Sequence, residues 1–116
     1  MAGYFELAGE LIYLVGGEHS DALSMVTRAI SGRIARCVLT WTGSPLAALE
    51  AACRSTGAAI RPAALAKALQ QPCREGFIVT IRQEDRERFE ETTGGVYSRW
   101  IGETTAQAGF RLAEPD

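Results

Sequence analysis

The chain is poor in lysine and histidine, holds few cysteines and has no long apolar run. Lys67 is its only lysine, and 12 basic residues face 14 acidic ones, which gives a formal net charge of −2. Proteins that bind duplex nucleic acid or an anionic membrane surface usually carry a basic excess, so neither partner is expected. The longest apolar run is far shorter than the ~20 residues of a membrane-spanning helix.

Cysteines occur at positions 37, 53 and 73, and none of them forms a Cys-x-x-Cys pair. A zinc knuckle or a thioredoxin-type site is therefore not predicted. Cys37 and Cys53 lie in apolar runs, where packing as small hydrophobic residues is the expected role. The segment Met1–Glu6 lacks the basic residues that open a signal peptide, so we expect a reduced cytoplasmic protein without a metal or cofactor.

The 116 residues, 47% of them hydrophobic, predict a single folded domain over residues 1–116. A chain of this size buries roughly two-thirds of the surface that its unfolded form exposes, so it needs no disulfide or metal for stability. The apolar share is too high for a disordered chain.

Runs of strand-favouring residues alternate with segments of helical periodicity along the chain. The predicted strands cover residues 11–15, 35–41, 58–60, 76–81, 96–101 and 110–112. The predicted helices begin at Ser20 or Asp21, at Ser44, at Pro62 and at Gln83. This α/β (α+β) order predicts a two-layer sandwich, with a mixed sheet of about four to six strands and helices on one face.

Two details of this arrangement follow from spacing and from glycine. In the first helix, a buried stripe is predicted that consists of Leu23, Val26, Thr27, Ile30 and Ile34. Near the end of the chain, Gly102 and Gly109 are predicted to lie in turns between the last strands.

The most distinctive strand-to-helix turn reads Thr40-Trp41-Thr42-Gly43-Ser44. The hydroxyl groups of Thr40, Thr42 and Ser44, next to Gly43 and the N–H groups of a helix N-terminus, are suited to bind a small phosphate or carboxylate. The alternative is structural, with Ser44 as the helix cap and Trp41 packed in the core. Both interpretations stay open at this point.

No catalytic residue is predicted. His19, Ser20 and Asp21 are the residue types of a nucleophilic site, but neighbours in a chain seldom point at one another, and working triads assemble from distant segments. A helix start capped by Ser20 or Asp21 is the expected structure there.

An aromatic residue in the penultimate strand suggests an interface. If Ile101 faces the core, the alternation of side chains along a strand places Trp100 on the opposite face of the sheet. A sheet with one uncovered face needs a cover, and exposed aromatic residues often mark a contact with another chain. A homodimer with Trp100 and Tyr97 at its interface is therefore predicted, although these two residues cannot share a face of a regular strand.

The last forty residues resemble the C-terminal domain of the aminoimidazole ribonucleotide synthetase superfamily. The similar segments are residues 75–91, 99–105 and 109–112, and Ile101-Gly102-Glu103-Thr104 matches the family's Ile-Gly-Glu-Val/Thr strand. Upstream, residues 10–16 and 44–60 are similar to the family's opening strand and to its central helix with the strand that follows. The family's His-Asp motif and glycine pair are absent, and Thr40-Trp41-Thr42-Gly43-Ser44 stands in their place.

The resemblance implies that this chain is related to the ATP-dependent synthetases of the purine pathway. The 116 residues leave no room for the ATP-binding N-terminal domain of that family. We therefore expect a binding or assembly module without its own catalytic activity, as a homodimer or with a partner enzyme subunit, and with a small anion at the Thr40–Ser44 turn. One alternative is a substrate-binding subunit of a split nucleotide or cofactor biosynthesis enzyme. Another is a small acidic inhibitor or immunity protein.

Overall fold

The computed structural model describes residues 4–16, 21–42, 44–70, 76–94 and 98–112. Its strands are β1 (Leu11–Gly16), β2 (Ala35–Trp41), β3 (Gly57–Ile60), β4 (Gly76–Ile81), β5 (Ser98–Thr105) and β6 (Phe110–Leu112). Its helices are α1 (Asp21–Ser31), α2 (Pro45–Ala52), α3 (Pro62–Leu69) and α4 (Arg86–Thr92), with a 3-10 turn (Gln83–Asp85) before α4. Each predicted strand and helix is confirmed, although the ends differ by a few residues.

The strands form one mixed sheet in the order β2-β4-β1-β5-β3-β6. Every neighbouring pair is antiparallel except β3 and β6, which are parallel. The mixed sheet of the predicted size is thus confirmed. β2 and β6 are its two edge strands.

Two interleaved βαβ units form the centre of this sheet. The unit β1-α1-β2 leaves a gap that β4 fills, and the unit β4-α4-β5 leaves a gap that β1 fills. This is the split arrangement of ferredoxin-like folds. The segment α2-β3-α3 is inserted between the two units and extends the sheet beyond β5.

Helices α1 and α4 pack with one buried cluster of the sheet, and α2 and α3 pack with another. β1 and β4 are buried along their whole length. The face packed on α1 and α4 buries a cluster of β1 and β4 side chains with Ala22, Val26, Ala29 and Phe89. The face packed on α2 and α3 buries another cluster, with Leu49, Ala52, Ala64 and Leu65. Strands that are apolar at nearly every position are typical of a sheet covered on both sides, and this property of β1 and β4 is the reason for the second helical layer.

The buried stripe of α1 differs from the prediction. Val26 and Ile34 are buried as expected, but Leu23, Thr27 and Ile30 are exposed. Ala22 and Ala29 take the inward positions, so α1 lies against the sheet through small side chains. The prediction followed the larger apolar residues and thereby chose a neighbouring stripe of the same helix.

Gly102 lies within β5 rather than in a turn, and this prediction was wrong. A Cβ atom at this position would collide with the backbone carbonyl oxygen of Ala59 in β3. Gly109 does lie in the connection between β5 and β6, where its φ of +121° favours glycine. The glycine of the Ile-Gly-Glu-Thr segment is therefore explained by the close approach of β3 to β5.

Thr104 ties the chain before β1 to β5. Its hydroxyl donates to the carbonyl oxygen of Leu7 at 2.6 Å and accepts the N–H of Glu10 at 2.9 Å. The backbone N–H of Thr104 donates to the Glu10 carbonyl oxygen at 2.8 Å. Within the described ranges, no helix has the length and apolar character that a bilayer crossing requires.

Candidate functional site

The turn between β2 and α2 shows the capping contact that the sequence left open. Ser44 is extended (φ −103°, ψ 127°), and its Oγ accepts the N–H of Leu46 at 3.3 Å. Thr40 and Thr42 are exposed. Gly43 lies outside the described residues. A ligand bound by Thr40, Thr42, Gly43 and Ser44 stays a prediction, with the Ser44 hydroxyl already engaged by the helix.

Trp41, in the same turn, contributes to the core. Its indole packs against the α2/α3-side cluster and covers Gly76, where a Cβ atom would collide with the ring. Its Nε1–H is buried without a hydrogen-bond partner among the described residues. Packing of Trp41, the other half of the structural interpretation, is thus confirmed.

β2 is an edge strand, and its residues after Arg36 are uncharged. Its Val38 side chain packs on the α1/α4 side of the sheet, and its Leu39 side chain packs on the α2/α3 side. Arg36, the charged residue of the strand, is paired with Glu10 at 3.1 Å. An apolar edge without a lysine or proline is the kind that pairs with another strand.

An apolar groove, here called the β2 groove, runs along this edge with a volume of about 570 Å³. Its walls come from α1, β2, β4 and α2, and its lining includes Leu23, Ile30, Val38, Leu39, Thr40 and Ala48. Leu23 is 61% exposed and Ile30 is 37% exposed. The groove therefore gathers the α1 residues that the sequence had assigned to the core.

Sequence reasoning missed the groove, although a signal for it was present. α1 carries two apolar stripes, Ala22, Val26 and Ala29 on one and Leu23 and Ile30 on the other. One helix face is enough to cover a sheet, so a second apolar stripe indicates a further contact.

Trp100 lies three strands away from β2, on β5. Ile101 is fully buried on one face and Trp100 packs on the other, as alternation predicted. The guanidinium carbons of Arg61 and Arg86 lie 4.4 and 4.5 Å from the centroid of the Trp100 ring. Helices cover both sheet faces, so an uncovered face cannot be the reason for a dimer contact at Trp100. Tyr97 lies outside the described residues, and an interface at Trp100 and Tyr97 stays a prediction.

The first loop also falls outside the described part of the chain. His19 and Ser20 belong to it, and only the backbone of Asp21 is described, as the first residue of α1. α1 begins at Asp21, which agrees with the predicted helix start at Ser20 or Asp21.

No protein-family model matches the chain, and no curated protein matches its sequence. Two solved structures share its fold. PurL of T. maritima, solved with ATP, matches over 95% of this chain with a TM-score of 0.75 and 13% identity, and the match covers 24% of PurL. E. coli HypE, a hydrogenase maturation protein, matches over 97% of this chain with a TM-score of 0.73 and 13% identity, and the match covers 48% of HypE.

Both structures have folds of the aminoimidazole ribonucleotide synthetase type, so the resemblance read from the sequence is confirmed at the level of the fold. The chain spans about a quarter of the length of PurL and about half the length of HypE. Its equivalence to the C-terminal domain of that family stays a prediction.

Proposed function

We propose that this chain is a non-catalytic assembly module that forms a homodimer through the edge of β2. The observation that carries the proposal is the β2 groove. In it, the exposed side chains of Leu23 and Ile30 lie beside an edge strand whose residues after Arg36 are uncharged. Water-exposed apolar surface next to unpaired strand edges is stabilised by association with a second chain.

A second copy suits this edge because β2 can pair with itself. In an antiparallel pair centred on Val38, Arg36 of one copy lies opposite Thr40 of the other, so no like charges meet. A twofold arrangement of this kind uses the same surface on both copies and closes after two chains. The Leu23 and Ile30 side chains then lie beside the new strand pair, where the partner's copies of the same residues shield them from water.

Light scattering coupled to size-exclusion chromatography tests the dimer. We expect a dimer for the wild type and a monomer for Leu23→Glu, which places a charge in the groove, and for Thr40→Lys, which places a lysine on the strand edge. Leu112→Glu on β6 is the matched control, because Leu112 is 60% exposed, as Leu23 is, but lies at the opposite edge of the sheet. A monomeric wild type at every concentration, or a monomeric Leu112→Glu variant, would contradict the proposal.

A second candidate function follows from the partial coverage of the solved structures. The match covers 48% of HypE, so the second candidate is a subunit that binds a separate chain carrying the rest of a split enzyme, with the β2 groove as the contact surface. A gene beside this one that encodes an ATP-binding domain, and a complex of the two products that Leu23→Glu abolishes, would favour this candidate over the homodimer.

A further inference from the structure

A polar cavity at Trp100, called here the Trp100 cavity, lies away from the β2 groove and has a volume of about 400 Å³. It exists because β5 is longer than its neighbour. Ile60, the last residue of β3, pairs with Gly102, so the first residues of β5 extend past the end of β3. The space beside them is bounded by α3 on one side and α4 on the other.

The lining of this cavity is strongly basic. Among the residues that the structure describes, the lining contains four cationic side chains, those of Arg61, Lys67, Arg86 and Arg99, and the carboxylate of Glu90. The whole chain carries a net charge of −2, so this concentration of positive charge is local and opposite in sign to the rest of the molecule. An anion is attracted to such a group of cationic side chains.

The guanidinium groups are held in place by the indole ring. Arg61 reaches Trp100 from the end of β3, and Arg86 reaches it from α4. Their guanidinium carbons lie 4.4 and 4.5 Å from the centroid of the Trp100 ring. A cation–π contact is made with the ring face and does not itself use the N–H donors of the guanidinium. The indole Nε1–H donates to the Gly102 carbonyl oxygen at 2.9 Å, which fixes the ring in turn.

The start of α3 adds backbone donors. The first helical bond of α3 runs from the Leu65 N–H to the Arg61 carbonyl oxygen at 3.0 Å. The N–H groups of Ala63 and Ala64 therefore belong to the first turn, which has no intrahelical acceptors, and both residues line the cavity.

Opposing this positive charge, Glu90 lies 3.7 Å from Arg86 and accepts the hydroxyl of Tyr13 at 3.5 Å. Its carboxylate partly neutralises the cavity and repels an incoming anion. Burial and the charge of Glu90 also raise the pKa of the Tyr13 phenol, which is therefore a neutral neighbour at physiological pH.

We propose that the Trp100 cavity binds a small organic phosphate monoester. Arginine and lysine side chains both bind phosphate, and one guanidinium group can donate hydrogen bonds to two phosphate oxygens at once. The cavity volume is within the range of small-molecule sites. This site is independent of the dimer, since the groove and the cavity lie at different strands of the sheet.

Nuclear magnetic resonance of the two tryptophan side chains tests the site in the intact chain. Inorganic phosphate and glycerol 3-phosphate are titrated at constant ionic strength, with sodium chloride and glycerol as blanks. We expect a saturable shift of the Trp100 indole N–H signal with both phosphates and none with the blanks. The Trp41 indole N–H is the internal control, because it is buried at β2 and is expected not to move.

Three variants make the result specific to the cavity. Lys67→Glu, on the exposed side of α3, is expected to raise the dissociation constant about tenfold or more, because a charge-assisted hydrogen bond is replaced by repulsion. Arg54 precedes β3, at the end of the strand opposite to Arg61. Arg54→Gln is therefore expected to bind phosphate as tightly as the wild type does. Glu90→Gln is expected to bind more tightly, a gain that loss of folding cannot imitate.

The proposal is overturned if neither phosphate shifts the Trp100 signal, if both indole signals shift alike, or if Lys67→Glu binds as well as the wild type. The Leu23→Glu variant is expected to retain phosphate binding as a monomer. Failure of the dimer and failure of the phosphate site are thus measured separately.

Discussion

Cys37 is buried in the middle of β2, with only 4% of its surface exposed, and its Sγ lies 3.3 Å from the carbonyl oxygen of Tyr4. Burial raises the pKa of the thiol from 9.0 to about 11, and the charges of Glu10 and Glu6 act in the same direction. The role of Cys37 and Cys53 as small packing residues was predicted from their apolar neighbours and is confirmed, since both contact the α2/α3-side cluster.

The raised pKa of Cys37 makes stability depend on alkaline pH. Below pH 9 the thiol is protonated in both states, but between pH 9 and 11 the unfolded thiol ionises first, so the unfolded state binds fewer protons and the free energy of unfolding falls. The loss contributed by this thiol approaches roughly 2 kcal/mol near the folded pKa. Urea unfolding of the wild type and of Cys37→Ser at neutral and at alkaline pH measures it.

The serine variant has no thiol to ionise, and the other titrating groups are common to both proteins. The stability difference between wild type and Cys37→Ser is therefore expected to move in favour of the variant as the pH rises. A difference that is independent of pH would show that the thiol ionises equally in the folded and unfolded chains.

At the scale of elements, the segment before β1 is held on β5 at Thr104, through its buried hydroxyl and through its backbone. Thr104→Val keeps the shape of the side chain but leaves the Leu7 carbonyl oxygen and the Glu10 N–H without their partner. We expect the free energy of unfolding to fall by about 1–3 kcal/mol, the usual cost of unpaired buried polar groups.

The next residue provides the control for this change. The hydroxyl of Thr105 donates to the Gln107 carbonyl oxygen at 3.0 Å in an exposed position, where water can replace the bond. Thr105→Val is therefore expected to change stability by less than about 0.5 kcal/mol. Equal losses in the two variants, measured by urea unfolding, would contradict the role given to Thr104.

The elements themselves were predictable because their signals are local. Pro45 after Ser44 marks the start of α2, and unbroken apolar runs mark β1 and β4. The layer arrangement was not predictable to the same degree, since an apolar run does not say which helix covers which face. Gly102 was misread because the reason for a glycine there is the backbone of β3, which is remote in sequence.

For the molecule as a whole, the fold could be predicted from element order and from the segment Ile101–Thr104, whereas the two candidate sites could not. The β2 groove joins α1 to α2 across an edge strand, and the Trp100 cavity joins Arg61 to Arg86 and Arg99. These residues meet only after the sheet has formed. Before folding, Lys67 and the arginines are scattered in an acidic chain, and Trp100 is visible only as an aromatic residue of a strand.

A dimer has a consequence for thermal stability at this scale. Association of folded chains favours the folded state by mass action, so the melting temperature of the wild type is expected to rise with protein concentration. Leu23→Glu, as a monomer, is expected to melt at the same temperature across the same dilution series. Differential scanning calorimetry measures both, and a wild-type melting temperature that is independent of concentration would count against association.

The pairing of β1 has a consequence for the protein as it is synthesised. β1 is complete at Gly16, but its neighbours in the sheet begin only at Gly76 and Ser98. The ribosome therefore releases this apolar strand long before either of its partner strands is made, and contacts between residues so distant in sequence form slowly. The apolar residues of β1 are open to aggregation during this interval.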